Sequence, residues 1–329
     1  MKRETNRTLL QEVIPLSTPF VVHIETNNTC NFKCKFCFGS NDKLLKDYGI
    51  KRGFMEKDTF EKIINDMKEF PSKIKRLYFH VMGEPLLHKD IVHFIKYAKE
   101  AQIAEQLVMF TNGALLNEKL AKEIAYSGLD IIQISVEGVS EEKYKEITGC
   151  KIDYDVFVDN IKILYNEKPE TCNLHIKIID CNLSEEEKNK FYEDFSSISN
   201  ECYLEKLLDV CPDEVMDTTM GYGRSFTQEG KELVEKLVCT IPFYVTDIYY
   251  DGTVDACSCD WSRKLIMGNV LEDSLYNIWN GKKFNSLRKM QLEGKRKNCF
   301  SCSECKAILN QLDDIDMYSE KLLKKFDMF

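Results

Sequence analysis

The chain reads as an α/β fold, a partial (βα)6 barrel of parallel strands followed by a small cysteine-rich C-terminal domain. Three observations lead there. Short apolar runs alternate six times with amphipathic helical patterns between residues 20 and 210, which calls for parallel strands joined by right-handed crossovers. Unusual loops follow the first four runs, at strand ends that share one face of such a barrel. After about residue 212 the composition changes: Gly-containing segments such as 221–225 appear, and six cysteines crowd into Cys239–Cys305. A boundary there divides the chain into residues 1–212 and 213–329.

Taken in order, the strand candidates are Phe20–Glu25, Arg76–Val81, Gln106–Phe110, Asp130–Val136, Asn173–Ile179 and Cys202–Leu208. Between the first two lies a helix with Asp58 as its N-cap and Glu61 three residues on, carrying Phe60, Ile63, Ile64 and Met67 on one face. Further helical patterns cover Asp90–Ala101, Asn117–Tyr126, Tyr154–Asn166 and Ser184–Ser196. In the C-terminal part, Leu275–Asn280 and the stretch around Leu287–Met290 read as core and amphipathic helix.

At 329 residues, with 43% hydrophobic residues and few Gly or Pro, the chain can bury a large core and is not disordered. A net charge of −9 argues against nucleic-acid or anionic-membrane partners. No apolar stretch of signal-peptide or membrane-span length occurs. Fourteen cysteines without a signal peptide point to metal binding in a reducing cytoplasm.

The loop after the first strand holds Cys30, Cys34 and Cys37 in TCNFKCKFCFG. Three thiolates at spacings of four and three cannot all pair as disulfides, and they suit an iron–sulfur cluster. Three ligands leave one iron open. A zinc knuckle or a redox thiol group is the competing reading of the spacing.

This C-x3-C-x2-C pattern, with Phe36 before its last cysteine, resembles the signature of the radical S-adenosylmethionine (SAM) enzymes. The resemblance implies a [4Fe–4S] cluster whose open iron takes the amino and carboxylate groups of SAM. The run Met82-Gly83-Glu84-Pro85 resembles that family's Gly-Gly-Glu-Pro motif, which meets the SAM amino group; Met82 replaces the first glycine. By the same resemblance Thr111, Asn112, Ser135 and Glu137 would hydrogen-bond the SAM ribose and carboxylate, and Phe36 would edge the adenine. Glu137 stands where the family commonly has Asp. Read singly, these residues are also what strand-to-helix turns, local caps and core packing contain.

The C-terminal cysteines resemble the auxiliary-cluster extension of the same family, called SPASM in its long form and Twitch in its short form. Cys239, the Gly252-to-Cys257 turn, the Met267–Val270 and Ile278–Asn280 stretches and Cys299-x2-Cys302-x2-Cys305 carry that resemblance. The long form holds two extra clusters and needs a longer cysteine series, whereas residues 306–329 contain none. The expectation is therefore one auxiliary [4Fe–4S] cluster on Cys239, Cys257, Cys299 and Cys302, with Cys259 or Cys305 replacing one of these. A structural zinc site from the same four is the alternative. Cys150, Cys172, Cys181, Cys202 and Cys211 show no ligand spacing and read as small buried hydrophobes. His23 and His80 alternate with apolar residues, so each either faces the barrel interior or is a satisfied core histidine.

The family's chemistry implies one-electron cleavage of SAM to a 5′-deoxyadenosyl radical, which abstracts a hydrogen atom. Electron transfer to the auxiliary cluster would make the outcome an oxidation. Hydrogen-atom donation from a thiol, with Cys259 or Cys211 as candidates, would make it an epimerisation. The expected substrate is a small carbohydrate, nucleotide sugar or aminocyclitol, and the expected reductant a flavodoxin or ferredoxin. Maturation of a ribosomally made peptide is the second reading. Only 29 residues precede Cys30, so a leader-binding domain is not expected. An electron-transfer or zinc-stabilised binding protein is the third.

Overall fold

A computed structural model describes residues 8–180, 182–207, 227 and 232–327. Six parallel strands form the core: β1 Val21–Ile24, β2 Ile74–Tyr78, β3 Ala104–Thr111, β4 Ile131–Val136, β5 Asn173–Ile179 and β6 Glu201–Glu205. All six correspond to the apolar runs of the sequence, shifted by at most two or three residues at their described ends; Leu208 lies outside the described residues. Their order is sequential, as right-handed strand–helix–strand units require.

The sheet does not stop at β1. Three more strands join its other edge, β7 Val245–Ile248, β8 Thr253–Asp255 and β9 Ile266–Asn269, giving one nine-stranded sheet. β7 runs parallel to β1, with His23 opposite Asp247, and β8 and β9 follow antiparallel. The C-terminal segment thus extends the core sheet by main-chain hydrogen bonds.

Alternation along each strand separates two faces. Val22, Ile24, Leu77, Phe79, Met109, Ile132, Ile134, Leu174 and Ile176 are buried against the helices. The residues between them, His23, Tyr78, His80, Phe110, Gln133, Lys177 and Tyr203, line the inner face. Helix Lys57–Asp66 begins earlier than expected: Glu56 is its N-cap residue and makes no side-chain cap, while Asp58 sits in the first turn. There its carboxylate still faces the helix's positive end. Asn117 and Ser184 cap the helices they precede, the latter in a full capping box with Glu187. Trp279 is fully buried and its indole N–H donates to the Leu16 carbonyl at 2.8 Å. Among the described residues no helix is long and apolar enough to cross a membrane.

Candidate active site

β1 delivers the chain straight into the cysteine loop. Lys33 and Lys35 donate their N–H groups to the Thr148 and Ile147 carbonyls, tying the loop to helix Glu141–Thr148. Cys37 donates to the Cys34 carbonyl at 3.0 Å, so the last two cysteines share one tight turn. Burial pushes the Cys30 thiol up to about 11 and the Cys34 thiol further up. Neutral thiols in such surroundings ionise only when a strongly cationic group arrives, which is what an iron–sulfur cluster supplies.

The loop after β2 packs directly on this one. Gly83 has φ +90, and a Cβ there would lie 2.6 Å from the carbonyl oxygens of both Asn27 and Thr29. Only glycine permits that approach. Glu84 donates its N–H to the Thr29 carbonyl at 2.7 Å, and its own carbonyl accepts from Asn27 Nδ2. Its carboxylate accepts from Leu86 N–H at 2.9 Å, Thr111 Oγ1 at 2.6 Å and Asn112 N–H at 2.7 Å. Glu84 is thus a pin between the loops after β2 and β3. Burial pushes it up to about 7 despite those three donors. Pro85 opens the short turn that follows, and the Met82 side chain rests on Gly39.

Asn112 reaches back to the cysteine loop, donating to Asn31 Oδ1 at 2.9 Å and standing 3.8 Å from Cys30 Sγ. Ser135 and Glu137 are half-buried at the end of β4. Burial raises Glu137 to about 7; Lys177 opposes that and Glu205 adds to it. Phe36 packs on Ile147 and Leu207. Every residue expected at the first cofactor from resemblance therefore lies at one end of the barrel. Thr111 Oγ1 donates to Glu84 and accepts from Gly113 N–H, so both side chains are engaged within these loops.

Inside the barrel the inner face divides in two. Tyr78, His80 and Phe110 form an aromatic wall, with His80 stacked on Phe110 at 4.4 Å. Beside them, on β4, β5 and β6, stand polar groups: Tyr203 donates to Gln133 at 3.1 Å, Lys177 pairs with Glu205, and His175 with Glu201. His23, on β1, borders the aromatic wall on the side away from these polar groups. Its Nδ1 meets Asp247 Oδ1 at 2.7 Å, while its ring lies 4.8 Å from Tyr78. Asp247 is fully buried and its Oδ2 has no hydrogen-bond partner. His80 Nδ1 is likewise buried without one, and burial pushes that imidazole down to about 3.

Beyond β7 lies the second thiol group. Cys239, Cys257, Cys259, Cys302 and Cys305 line one cavity together with apolar Ile241, Leu265 and Ile308. Cys299 is not in that lining, and its free thiol hydrogen-bonds with that of Cys302. Burial pushes Cys239 up to about 12 and Cys302 up as well. Among the described residues no three Cys, His, Asp or Glu groups converge on a single ion. Thiols ringing a cavity are the donor set that an iron–sulfur cluster takes. Cys211 and Cys181 lie outside the described residues, Cys172 is fully buried, and Cys150 and Cys202 are half-buried.

Two contacts that the sequence did not reveal tie the thiol groups together. Arg263, just past Cys259, forks onto fully buried Glu25 at 2.8 and 2.7 Å and lies over the Tyr249 ring. Trp261 meets Phe38, beside Cys37, with ring centroids 5.6 Å apart. Asp247 was missed too. Its only signal was a lone acid inside the apolar run Ile241–Tyr250.

Comparison with known proteins agrees with this arrangement. The radical SAM superfamily profile matches residues 24–188, and an iron–sulfur cluster-binding domain, SPASM, matches 239–306. The S-adenosyl-L-methionine-dependent 2-deoxy-scyllo-inosamine dehydrogenase of Niallia circulans is 24% identical over 294 residues, 89% of this chain and 95% of that one. The tungsten-containing aldehyde ferredoxin oxidoreductase cofactor-modifying protein of Pyrococcus furiosus is 24% identical over 337 residues, 86% of each chain. Among solved structures, BtrN in complex with AdoMet and 2-DOIA superposes with a TM-score of 0.58 at 20% identity, covering 90% of this chain and 97% of that one. Streptococcus suis SuiB bound to S-adenosylmethionine gives 0.64 at 16% identity, covering 92% and 73%. The chain belongs to the radical SAM superfamily, is a radical SAM enzyme, and carries a C-terminal SPASM iron–sulfur domain.

Proposed function

We propose that this enzyme oxidises a hydroxyl-bearing small molecule, a sugar, nucleotide sugar or aminocyclitol, held in the barrel against the aromatic and polar walls. The observation that carries this reading is the two-walled inner face with the His23–Asp247 pair at its edge. Aromatic rings suit the C–H face of a sugar-like ring, and the neighbouring carboxylates, amide and ammonium suit its hydroxyls. The 24%-identical dehydrogenase of an aminocyclitol supports the same class.

Cys30, Cys34 and Cys37 would hold the first cluster, with Met82–Pro85, Thr111, Asn112, Ser135, Glu137 and Phe36 around SAM. When bound and reduced, that centre supplies a hydrogen-abstracting 5′-deoxyadenosyl radical. One auxiliary cluster would occupy the second cavity, on Cys239, Cys302, Cys305 and one of the neighbours Cys257 and Cys259. Five thiols for four positions leave one spare, and Cys259 remains the candidate hydrogen-atom donor if the outcome is epimerisation.

The chain's own task in an oxidation is the proton. His23 Nδ1 is engaged by Asp247, which leaves Nε2 to accept the proton of the substrate hydroxyl. Asp247, buried and otherwise unpaired, stabilises the imidazolium that results. Asp247 also faces Asp255 across β7 and β8, and the Asp255 carboxylate accepts the Cys257 N–H at 2.9 Å. Proton acceptor and auxiliary thiols are thus one strand apart. The domain division at residue 212, a cytoplasmic location and a flavodoxin or ferredoxin reductant complete the reading.

The test is anaerobic. Reconstituted protein, SAM and dithionite receive either a nucleotide-sugar and cyclitol fraction or a peptide fraction, and 5′-deoxyadenosine above the substrate-free level is measured. Stimulation by the first fraction is expected. Stimulation by peptides alone would move the assignment to peptide maturation, and an intact cluster that never cleaves SAM would leave an electron-transfer role.

A further inference from the structure

Two polar side chains in the wall of the thiol cavity each anchor main chain around it with one polar group and leave another N–H for the cavity. Gln291 is fully buried on helix Lys282–Leu292. Its Oε1 accepts the Cys239 N–H at 3.3 Å, while its Nε2 stands 3.5 Å from Cys302 Sγ. One amide therefore spans cysteines 63 residues apart in sequence, from the main chain of the first to the sulfur of the second. Arg296, on the turn after that helix, directs Nη2 onto the Cys302 and Cys305 carbonyls at 2.6 and 2.7 Å. Its Nε is buried and has no hydrogen-bond partner. A buried guanidinium N–H without an acceptor costs free energy unless something else occupies the site.

The acid on the same wall does not answer that donor. Asp260 spends one carboxylate oxygen on Ser262 Oγ at 2.8 Å and the other on the Lys264 and Leu265 N–H groups, both at 2.6 Å. Among the described lining residues Arg296 is the cation. Hydrogen bonds to sulfur and nearby charge are the protein's levers on a cluster's reduction potential.

We propose that Gln291 and Arg296 are potential-setting residues: Gln291 Nε2 and Arg296 Nε donate to the sulfurs of the auxiliary cluster and hold its potential high enough to accept an electron. This rests on the reading that the cavity holds such a cluster. Both groups favour the reduced, more negative state, so losing either lowers the potential. The one-electron reduction constant is expected to fall about tenfold for each, which is about 59 mV.

The experiment uses the full-length chain with Cys30, Cys34 and Cys37 changed to Ala, reconstituted with iron and sulfide, so that only the auxiliary site is loaded. Iron and sulfide content test the underlying reading. If the background protein binds none, the cavity is not a cluster site and both ideas fail together. If it binds a cluster, EPR-monitored redox titration compares it with Arg296→Met, Arg296→Lys, Gln291→Met and Gln291→Glu. A tenfold fall for Arg296→Met with substantial recovery in Arg296→Lys, and a larger fall for Gln291→Glu than for Gln291→Met, would support the proposal. Full iron content with reduction constants within twofold of the background protein would overturn it and leave the cluster reading standing. Should Gln291→Met lose its iron through the Cys239 contact, the two Arg296 variants still decide.

Discussion

Gly83→Ala is the sharpest probe of how the loops around the first cysteine group are built. The new Cβ would sit 2.6 Å from two main-chain oxygens, those of Asn27 and Thr29, and 2.9 Å from the Asn28 carbonyl carbon. None of these is a side-chain end that can swing away. The residue also keeps φ +90, a conformation L-residues adopt at a cost of roughly 1–2 kcal/mol. Relieving the overlap moves packed backbone, roughly another 1–3 kcal/mol. The sum is about 2–5 kcal/mol, or a fall in Tm of about 4–10 °C if a chain of this size loses about 2 °C per kcal/mol. The displaced carbonyls lead directly into Cys30, so iron retention should fall with stability. The assay is anaerobic thermal unfolding of the apoprotein together with iron content after reconstitution. Gly113→Ala is the control: its φ is +70, but the nearest atoms are side-chain carbons of Ile134 and Phe157 at 3.2 and 3.3 Å, which can yield. A Gly83→Ala protein that melts within 2 °C of wild type with full iron, or a Gly113→Ala protein that loses more, would refute the reasoning.

Three further outcomes follow from the same geometry. His23→Gln should leave SAM cleavage nearly intact in the presence of the stimulating substrate fraction, yet lower oxidised product per 5′-deoxyadenosine by about 10²-fold; equal losses in both would remove His23 from the proton's path. Cys305→Ala should cost the auxiliary site most of its iron while Cys299→Ala costs little, since Cys305 and not Cys299 lines the cavity; iron analysis in the N-terminal triple-Ala background would show the reverse if the geometry misleads. Glu84 titrates at about 7 in the folded chain against an ordinary 4.5, so the folded state binds the extra proton between those values. Its contribution is fully present below about pH 4.5 and lost as pH rises through 7. This residue alone thus favours the folded apoprotein at about pH 5 over about pH 8 by up to about 3 kcal/mol. Glu25 and Glu137, also raised to about 7, act in the same direction. Urea unfolding at the two pH values measures this, and Glu84→Gln should flatten the difference attributable to that residue.

Much of this was legible in the sequence because the signals were local. Short apolar runs between helical patterns named six strands, and the residues just past four of them named the loops that meet at the barrel's end. Cysteine spacing pointed to both thiol groups. What was not legible depended on partners distant in the chain. His23 and Asp247 lie 224 residues apart, and Arg263 reaches Glu25 across 238. No periodicity pairs such residues; only the β1–β7 register does. The different placement of Cys299 and Cys305 was equally out of reach, because C-x2-C-x2-C offers two equivalent pairs, and only the fold shows that Cys305 lines the cavity while Cys299 does not. Glu84 looked like a ligand-facing acid. That its oxygens are consumed by the neighbouring loop became visible only in three dimensions.

The parallel pairing of β1 with β7 also sets a schedule. During synthesis β1 emerges early, followed by its cysteine loop, and β2 can satisfy one of its edges soon after. The other edge has no partner until residues 245–248 leave the ribosome, more than 220 residues later. At roughly 5–20 residues per second that is about 11–45 s in which an apolar strand edge stands open beside reactive thiols. Such an edge invites strand addition by another chain. A nascent chain halted before β7 would therefore be prone to aggregate, and completion of the C-terminal segment is what closes the edge that the first strand leaves open.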